Sequence, residues 1–235
     1  MNTVENDIAV SGDARIAVIG VGGAGCRIAS RLYGKMSRVG VIAINTDRKA
    51  LEATAADTRL YICKEVTKGM GTHGDPALGK KCAQIHDLEI TSAVKKYDYA
   101  FIVAGMGGGT GSGAASVVAE LCDRANVKIG AITIMPFSFE NRNIKAAEGY
   151  RALHAVCQDI IRVENDKALT VPDVKSLDEA MNVINDVVIK AVDTAVEDAR
   201  NLIRWDISEH LEDDTVSGEI IESGIVPAAK AQKSH

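Results

Sequence analysis

The hydrophobic pattern along the chain alternates between two habits. Unbroken apolar runs occur at "RIAVIGV" (15–21), "VGVIAINTD" (39–47), "YAFIVAG" (99–105) and "VKIGAITIMPF" (127–137). Such runs read as strands buried on both faces. "RLYIC" (59–63) and "QDIIRVEN" (158–165) read as shorter strands. Between them lie stretches with helical spacing: "GAGCRIASRLYGKM" (23–36), "RKALEATAA" (48–56), the span from Pro76 to about 96, the span after residue 113 to about 125, and "NIKAAEGYRALHAVC" (143–157). Asp75 is placed to cap the third of these helices, with Pro76 at its first position. "KEVTKGMGTHGDP" (64–76) is rich in turn residues and reads as a loop. Strands alternating with helices predict an α/β fold, a parallel sheet with helices on both faces.

The last periodic element is the longest. Ser176-x-x-Glu179 forms a capping box, and apolar residues recur at 180, 184, 187, 188, 191, 195, 199 and 202. The opposite stripe, Asn182, Asp186, Lys190, Asp193, Glu197 and Arg200, is polar. This predicts a long helix over about 177–203 with one face on the sheet and the other against water or a partner. Residues 1–14 read as a flexible leader, 15–204 as the folded domain, and 205–235 as an acidic loop followed by a mostly disordered tail.

Composition narrows the classes of function. The net charge is −5 with no dense basic run, so nucleic acid is not an indicated partner. No apolar stretch approaches the roughly 20 residues of a spanning helix, and the acidic, polar start is unlike a secretory signal. The five cysteines are widely spaced without a C-x-x-C pair, which suits buried thiols in a reducing cytoplasm. The five histidines show no zinc-ligand spacing.

The chemistry concentrates in two glycine loops. Gly20-x-Gly22-x-x-Gly25 follows a strand and opens a helix, and Asp47 closes the next strand. That is a Rossmann-like dinucleotide fingerprint with an acid placed for a ribose, and taken alone it suggests an NAD-dependent enzyme. "GMGGGTGSG" (105–113) also joins a strand to a helix. Glycines let a ligand approach the backbone, and helix-start N–H groups bind anions, so this loop reads as a phosphate cradle. Neither loop continues into the Lys-Ser/Thr of a Walker P-loop. Two cradles at one edge of a sheet suit a nucleoside triphosphate better than a pyrophosphate bridge.

"AGMGGGTGSGAASVVAE" (104–120), "VIGVGGAG", "AINTD", "KGMGTHGDPALGKK", "PFSFEN" and "VENDKAL" together resemble the tubulin/FtsZ superfamily, in order and with family-like spacing from residue 15 to about 203. The resemblance implies GTP or GDP with Mg2+ in the site. It implies that Gly22, Gly23 and Ala24 lie along the phosphates with Cys26 at the helix start, and that a nucleotide contact is lost near Cys26–Arg27, where family members often carry asparagine. Asn45 and Asp47 would sit by the γ-phosphate and the magnesium, holding the metal indirectly. Gly71, Thr72 and His73 would form the γ-phosphate-sensing loop, His73 replacing a usually small residue. Gly105, Gly107, Gly108, Gly109, Thr110, Gly111, Ser112 and Gly113 would cradle the α- and β-phosphates. Glu140 would bind the ribose. Its basic partner is either Arg142 or a displaced residue, since the segment is one residue short. Asn165 would reach ribose or guanine, Met181 would replace a stacking phenylalanine, and Asn185 would hydrogen-bond guanine. Met181 and Asn185, at i and i+4, share a helix face.

The resemblance also implies hydrolysis between subunits, with acids after the long helix entering the next subunit's site. The family pattern there, approximately L-I-N-x-D-x-x-D, faces Leu202-Ile203-Arg204-Trp205-Asp206-Ile207-Ser208-Glu209 here, so Asp206 and Glu209 are the candidate catalytic acids. Only about thirty residues follow the long helix, where the family has a second domain. Three functions result: an FtsZ-like, weakly hydrolysing GTP-binding protein of the cytoplasm, assembling head to tail or partnering filament proteins in cytoskeletal or cell-division work; a non-hydrolysing GTP-dependent interaction module; and an NAD-dependent enzyme, for which no substrate domain or acid/base pair is evident.

Overall fold

The computed structural model describes the backbone of residues 14–222 and the side chains of residues 14–202. In chain order the elements are β1 (Ile16–Val21), α1 (Gly22–Leu32), β2 (Val39–Asn45), α2 (Arg48–Glu52), β3 (Thr58–Tyr61), α3 (Lys64–Thr67), α4 (Pro76–Ile85), α5 (Asp87–Val94), β4 (Tyr99–Gly105), α6 (Gly109–Arg124), β5 (Lys128–Met135), α7 (Asn143–His154), β6 (Ile160–Glu164) and α8 (Leu177–Glu222). Short 3-10 turns occupy Ser138–Glu140 and Asn165–Thr170. All six strands pair in parallel in the order β3-β2-β1-β4-β5-β6. The predicted α/β sheet is therefore present, with each expected strand in place.

Alternate residues of the central strands feed two separate cores, as the two-residue pleat requires. Ala17, Ile19 and Val21 of β1 and Ala100, Ile102 and Ala104 of β4 pack with α4, α5, α6 and α7. Ile16, Val18, Phe101 and Val103 face the other way, onto Ile28 and Leu32 of α1 and the stripe of α8. Both faces being covered explains why these strands read as continuous apolar runs. At the opposite end of β1 and β4 from the glycine loops, Arg15 ties the strands together by an ion pair to Asp98 at 2.7 Å. That guanidinium holds the Asp98 carboxyl below its ordinary range.

Helix α8 differs from the sequence reading in two ways. Its buried stripe is Ala180, Ile184, Val188, Val192, Val196 and Ala199, whereas Val187 and Leu202 are exposed. The i+4 ladder through 192 and 196 is the one that faces the sheet. Second, the backbone stays helical to Glu222, where an acidic loop was expected from 205. Between 203 and 217 there is neither glycine nor proline to stop it. The expected leader and the final tail lie outside the described residues, apart from Ala14. The predicted capping box is formed: Glu179 N–H donates to Ser176 Oγ at 3.2 Å, and Glu179 Oε2 accepts the Ser176 N–H at 3.2 Å. Ser176→Ala should cost about 1 kcal/mol, read as a thermal midpoint lower by about 2–4 °C.

Two further differences are local. The helical span after Asp75 breaks at His86 into α4 and α5. The second glycine loop is shorter than it reads, because α6 already begins at Gly109.

Candidate functional site

Strands β1 and β4 are neighbours, and the chain leaves their carboxyl ends toward opposite faces of the sheet, through α1 and α6. This is the switch point of a doubly wound sheet, where a crevice opens outside the strand ends. Both helices therefore aim their free N–H groups and positive dipole ends at one place. The two helix starts touch: a Cβ on Gly22, whose φ is +71°, would lie 2.8 Å from Gly111 N. A cleft of about 630 Å³ opens there, walled by both helix starts and by α8.

Thr72, Thr110 and Asn45 line the cleft. Thr110 Oγ1 is 2.7 Å from Oγ1 of the buried Thr46 and 3.4 Å from Thr72 Oγ1. Asn45, at the end of β2, accepts the backbone N–H groups of Thr46 and Asp47 through Oδ1 at 2.8 and 3.2 Å. Those two donors fix the orientation of the amide. They leave Nδ2 as a buried donor with no partner among the described residues. Buried polar groups are ordinarily satisfied, so this amide is a donor waiting for an acceptor in the cleft. Asp47 caps α2 by accepting Ala50 N–H at 2.9 Å, and its residue lines the cleft. The loop Gly71–Gly74 closes beside it, with Gly71 N–H bonded to the Thr46 carbonyl at 3.3 Å. His73 holds a left-handed φ of +50°, unusual for a residue with a Cβ. Lys145 Nζ fastens the loop by donating to the Gly74 carbonyl at 3.0 Å.

The outer wall comes from the turn after β5. Glu140 Oε1 accepts Phe137 N–H at 3.0 Å, and Glu140 Oε2 sits 3.6 Å from Arg142 Nη1. Asn165 is buried with Oδ1 unpartnered, and Met181 and Asn185 of α8 complete the wall. Among the described residues no cluster of three or more acids, histidines or cysteines could cage a metal. One carboxylate, Asp47, is nonetheless the donor set that suits magnesium, which keeps several waters and binds largely through phosphate oxygens.

The chain matches the Tubulin/FtsZ family, GTPase domain, over residues 15–173. It belongs to the tubulin/FtsZ family. It is 37% identical over 186 residues to cell division protein FtsZ 1 of Pyrococcus horikoshii, covering 76% of this chain and 49% of that one. It is 35% identical over 187 residues to FtsZ 2 of Methanocaldococcus jannaschii, covering 77% and 48%. The solved FtsZ dimer of M. jannaschii, in its empty form, superposes with a TM-score of 0.75 at 35% identity, covering 78% of this chain and 55% of that one. CetZ2 from Haloferax volcanii, solved as a GTPγS-bound protofilament, gives 0.67 at 28% identity, covering 76% and 57%. The chain spans about half the length of the curated FtsZ relatives it matches.

Most residues that the family resemblance singled out do meet at this cleft. Gly23, Ala24, Asn45, Asp47, Gly71, Thr72, His73, Gly105, Gly108, Gly109, Thr110, Gly111, Glu140, Arg142, Asn165, Met181 and Asn185 all line it. Five others lie behind the wall. Cys26 is buried, its thiol pushed up to about 12 by burial and placed 3.5 Å from the Gly20 and Ile44 carbonyl oxygens. Ser112 accepts Gly107 N–H at 2.8 Å, so it braces the loop from below. Gly22 forms the contact between the helix starts, Gly107 supplies a φ of +89°, and Gly113 lets α4 press on α6. Asp206 and Glu209 lie beyond the residues whose side chains are described. Sequence reasoning assigned no role to several other lining residues, among them Arg27, Phe139 and Asp178. Asp178 and Phe139 carried no separable signal. Arg27 had one, because it falls one turn beyond Gly23 on the same side of α1.

Proposed function

We propose that the chain is an FtsZ-like GTP-binding domain that holds GTP or GDP with Mg2+ in the cleft at the β1/β4 switch point. The observation that carries this reading is the Asn45 Nδ2 donor, buried and without a partner among the described residues, on a cleft that both helix N-termini line. That arrangement calls for an anionic acceptor, and a polyphosphate chain supplies one to each helix start. Gly23, Ala24, Gly108, Gly109, Thr110 and Gly111 then contact phosphate. Asn45 and Asp47 flank the γ-phosphate and the metal's water shell, and the Gly71–Gly74 loop with His73 senses the γ-phosphate. Magnesium, when bound, neutralises phosphate charge. Glu140, with Arg142, takes the ribose, Asn165 the ribose or base, Met181 the base face, and Asn185 the guanine edge. The CetZ2 relative, solved as a GTPγS-bound protofilament, supports the nucleotide, and with the dimeric FtsZ relative it supports self-association, which in this reading is head to tail. Service in a cytoplasmic filament or cell-division system is part of the same proposal, supported by relatives that are named cell division proteins.

Hydrolysis is weak in this reading and is completed between subunits by Asp206 and Glu209. One observation favours the non-hydrolysing alternative: the backbone at these residues continues a helix where an inserting loop was expected.

Titration with fluorescent GTP and GDP tests the nucleotide reading. Binding should be saturable, weaken when magnesium is chelated, and resist competition by ATP. Tight ATP binding without GTP binding would overturn the proposal.

A further inference from the structure

Two cysteines bracket the segment that carries the Gly71–Gly74 turn. Cys63 stands at the N-terminal cap of α3, ahead of the turn, and Cys82 lies in α4, behind it. Both are free thiols, 2% and 0% exposed, in the same apolar cluster. His86 holds the two positions together. Its Nε2 accepts the Cys63 N–H at 2.8 Å, and it follows Cys82 by one helical turn. The Cys63 and Cys82 side chains interact, and burial together with this contact pushes the Cys82 thiol up to about 12.

Cysteine is an odd choice at 63. Its φ is +62°, a left-handed conformation that favours glycine. A side chain held there against backbone preference points to a role for it, and this one meets a second thiol. Other buried thiols meet carbonyl oxygens instead: Cys26 those of Gly20 and Ile44 at 3.5 Å, Cys157 those of Asp159 and Ile129 at 3.4 and 3.8 Å. Helix α3 also makes Cys63 reachable. It has four residues, is left-handed at both caps and leaves Val66 exposed. A single turn of that kind opens locally at far lower cost than the sheet. We propose that Cys63 and Cys82 are a redox pair, which a small peroxide oxidises to a disulfide that locks the cleft loop between them.

The Cys63 thiolate attacks one oxygen of hydrogen peroxide. The O–O bond breaks, leaving a sulfenic acid and a hydroxide that takes up the proton Cys63 released. The Cys82 sulfur then displaces the sulfenic oxygen, which leaves as water with the Cys82 proton. Two thiols lose two electrons, and the peroxide gains them and ends as two waters. The bond closes a loop of about 20 residues, with the cleft-lining Gly71, Thr72, His73 and Gly74 near its middle. The lock acts whichever ligand the cleft takes.

The full chain, reduced and then treated with hydrogen peroxide under native conditions, is digested without reductant and mapped by mass spectrometry. Amide hydrogen exchange is followed in parallel. The map should show peptides joined through Cys63 and Cys82, lighter by two hydrogens, with Cys26, Cys122 and Cys157 still free. The Gly71 and Asp75 amides, bonded to the Thr46 and Thr72 carbonyls, should exchange at least about tenfold more slowly after oxidation, and dithiothreitol should restore the first rate. Cys82→Ala should stop at the Cys63 sulfenic acid, without the slowing. Cys63→Gly, which suits the left-handed backbone, should fold at least as well and show neither link nor slowing. No link between 63 and 82, a link formed only after denaturation, or a link to another cysteine would overturn the pair. A link that leaves exchange at Gly71 and Asp75 unchanged would overturn the lock.

Discussion

Gly113→Val should destabilise the protein by about 3 kcal/mol or more, the upper range of overpacking, and lower its thermal midpoint by about 6–12 °C. Gly108→Ala, five residues earlier, should fold with a midpoint within a few degrees and lose GTP affinity by at least about tenfold. The two glycines look alike in the sequence and have different neighbours. A Cβ at 113 would overlap the Pro76 carbonyl oxygen and lie 2.6 Å from Lys80 N, both backbone atoms of α4 that cannot swing away. At Gly111 it would overlap the Gly105 carbonyl oxygen, and at Gly109 it would overlap Thr72 Oγ1 and lie 2.7 Å from Asp75 N. These glycines let α6 pack against α4, the loop from Thr72 to Asp75 and the end of β4. At Gly108, as at Gly23, a Cβ would meet open space. The residue precedes the first turn of α6, and that space is cleft. If phosphates occupy it, a methyl group there displaces ligand and leaves the fold intact. Scanning calorimetry and nucleotide titration on the two variants separate the roles. A Gly108→Ala protein that binds GTP normally would place the phosphates elsewhere.

This division explains how much could be read in advance. Strands β1, β2, β4 and β5 were legible because a parallel sheet covered on both faces demands continuous apolar runs. The Asp75-Pro76 start of α4 and the Ser176/Glu179 box of α8 were legible because caps use local chemistry, and both form as read: Asp75 Oδ1 accepts Ala77 N–H at 2.9 Å. The family motifs named most of the cleft. What the sequence could not reveal was which side of a wall a residue faces. Cys26 adjoins the glycine fingerprint, yet the turn of α1 sends it into the core with Ala43 and Leu51, and the next residue, Arg27, into the cleft. Ser112 sits inside the signature and serves its own loop. The course of α8 beyond 203 was misread for a related reason. An acidic stretch lowers apolar periodicity without breaking a helix, since only glycine, proline or a competing cap does that.

The continuous helix bears directly on turnover. GTP hydrolysis per subunit should rise steeply with protein concentration in the presence of magnesium, and Asp206→Ala combined with Glu209→Ala should lower that rate by about 100-fold or more while GTP affinity holds. Phosphoryl transfer depends on positioning, with little covalent chemistry for a protein group to perform, so an acid contributes only where it orients the attacking water. Positions 206 and 209 are three apart on an unbroken helix, and such positions are neighbours on one face. In the reading proposed above, such a pair acts on a second subunit's nucleotide when two chains assemble. The rate then carries the concentration dependence of assembly, which separates it from a contaminating phosphatase. The double variant removes the acids and leaves every cleft residue in place, so retained binding with lost turnover assigns them to chemistry in trans. A flat, near-zero rate with GTP still bound would mean that the acids do not act on the nucleotide. In the proposed reading the cleft would then work through the Gly71–Gly74 turn, which Lys145 fastens. In that case Lys145→Ala should still change how the chain distinguishes GTP from GDP, with no turnover to obscure the comparison.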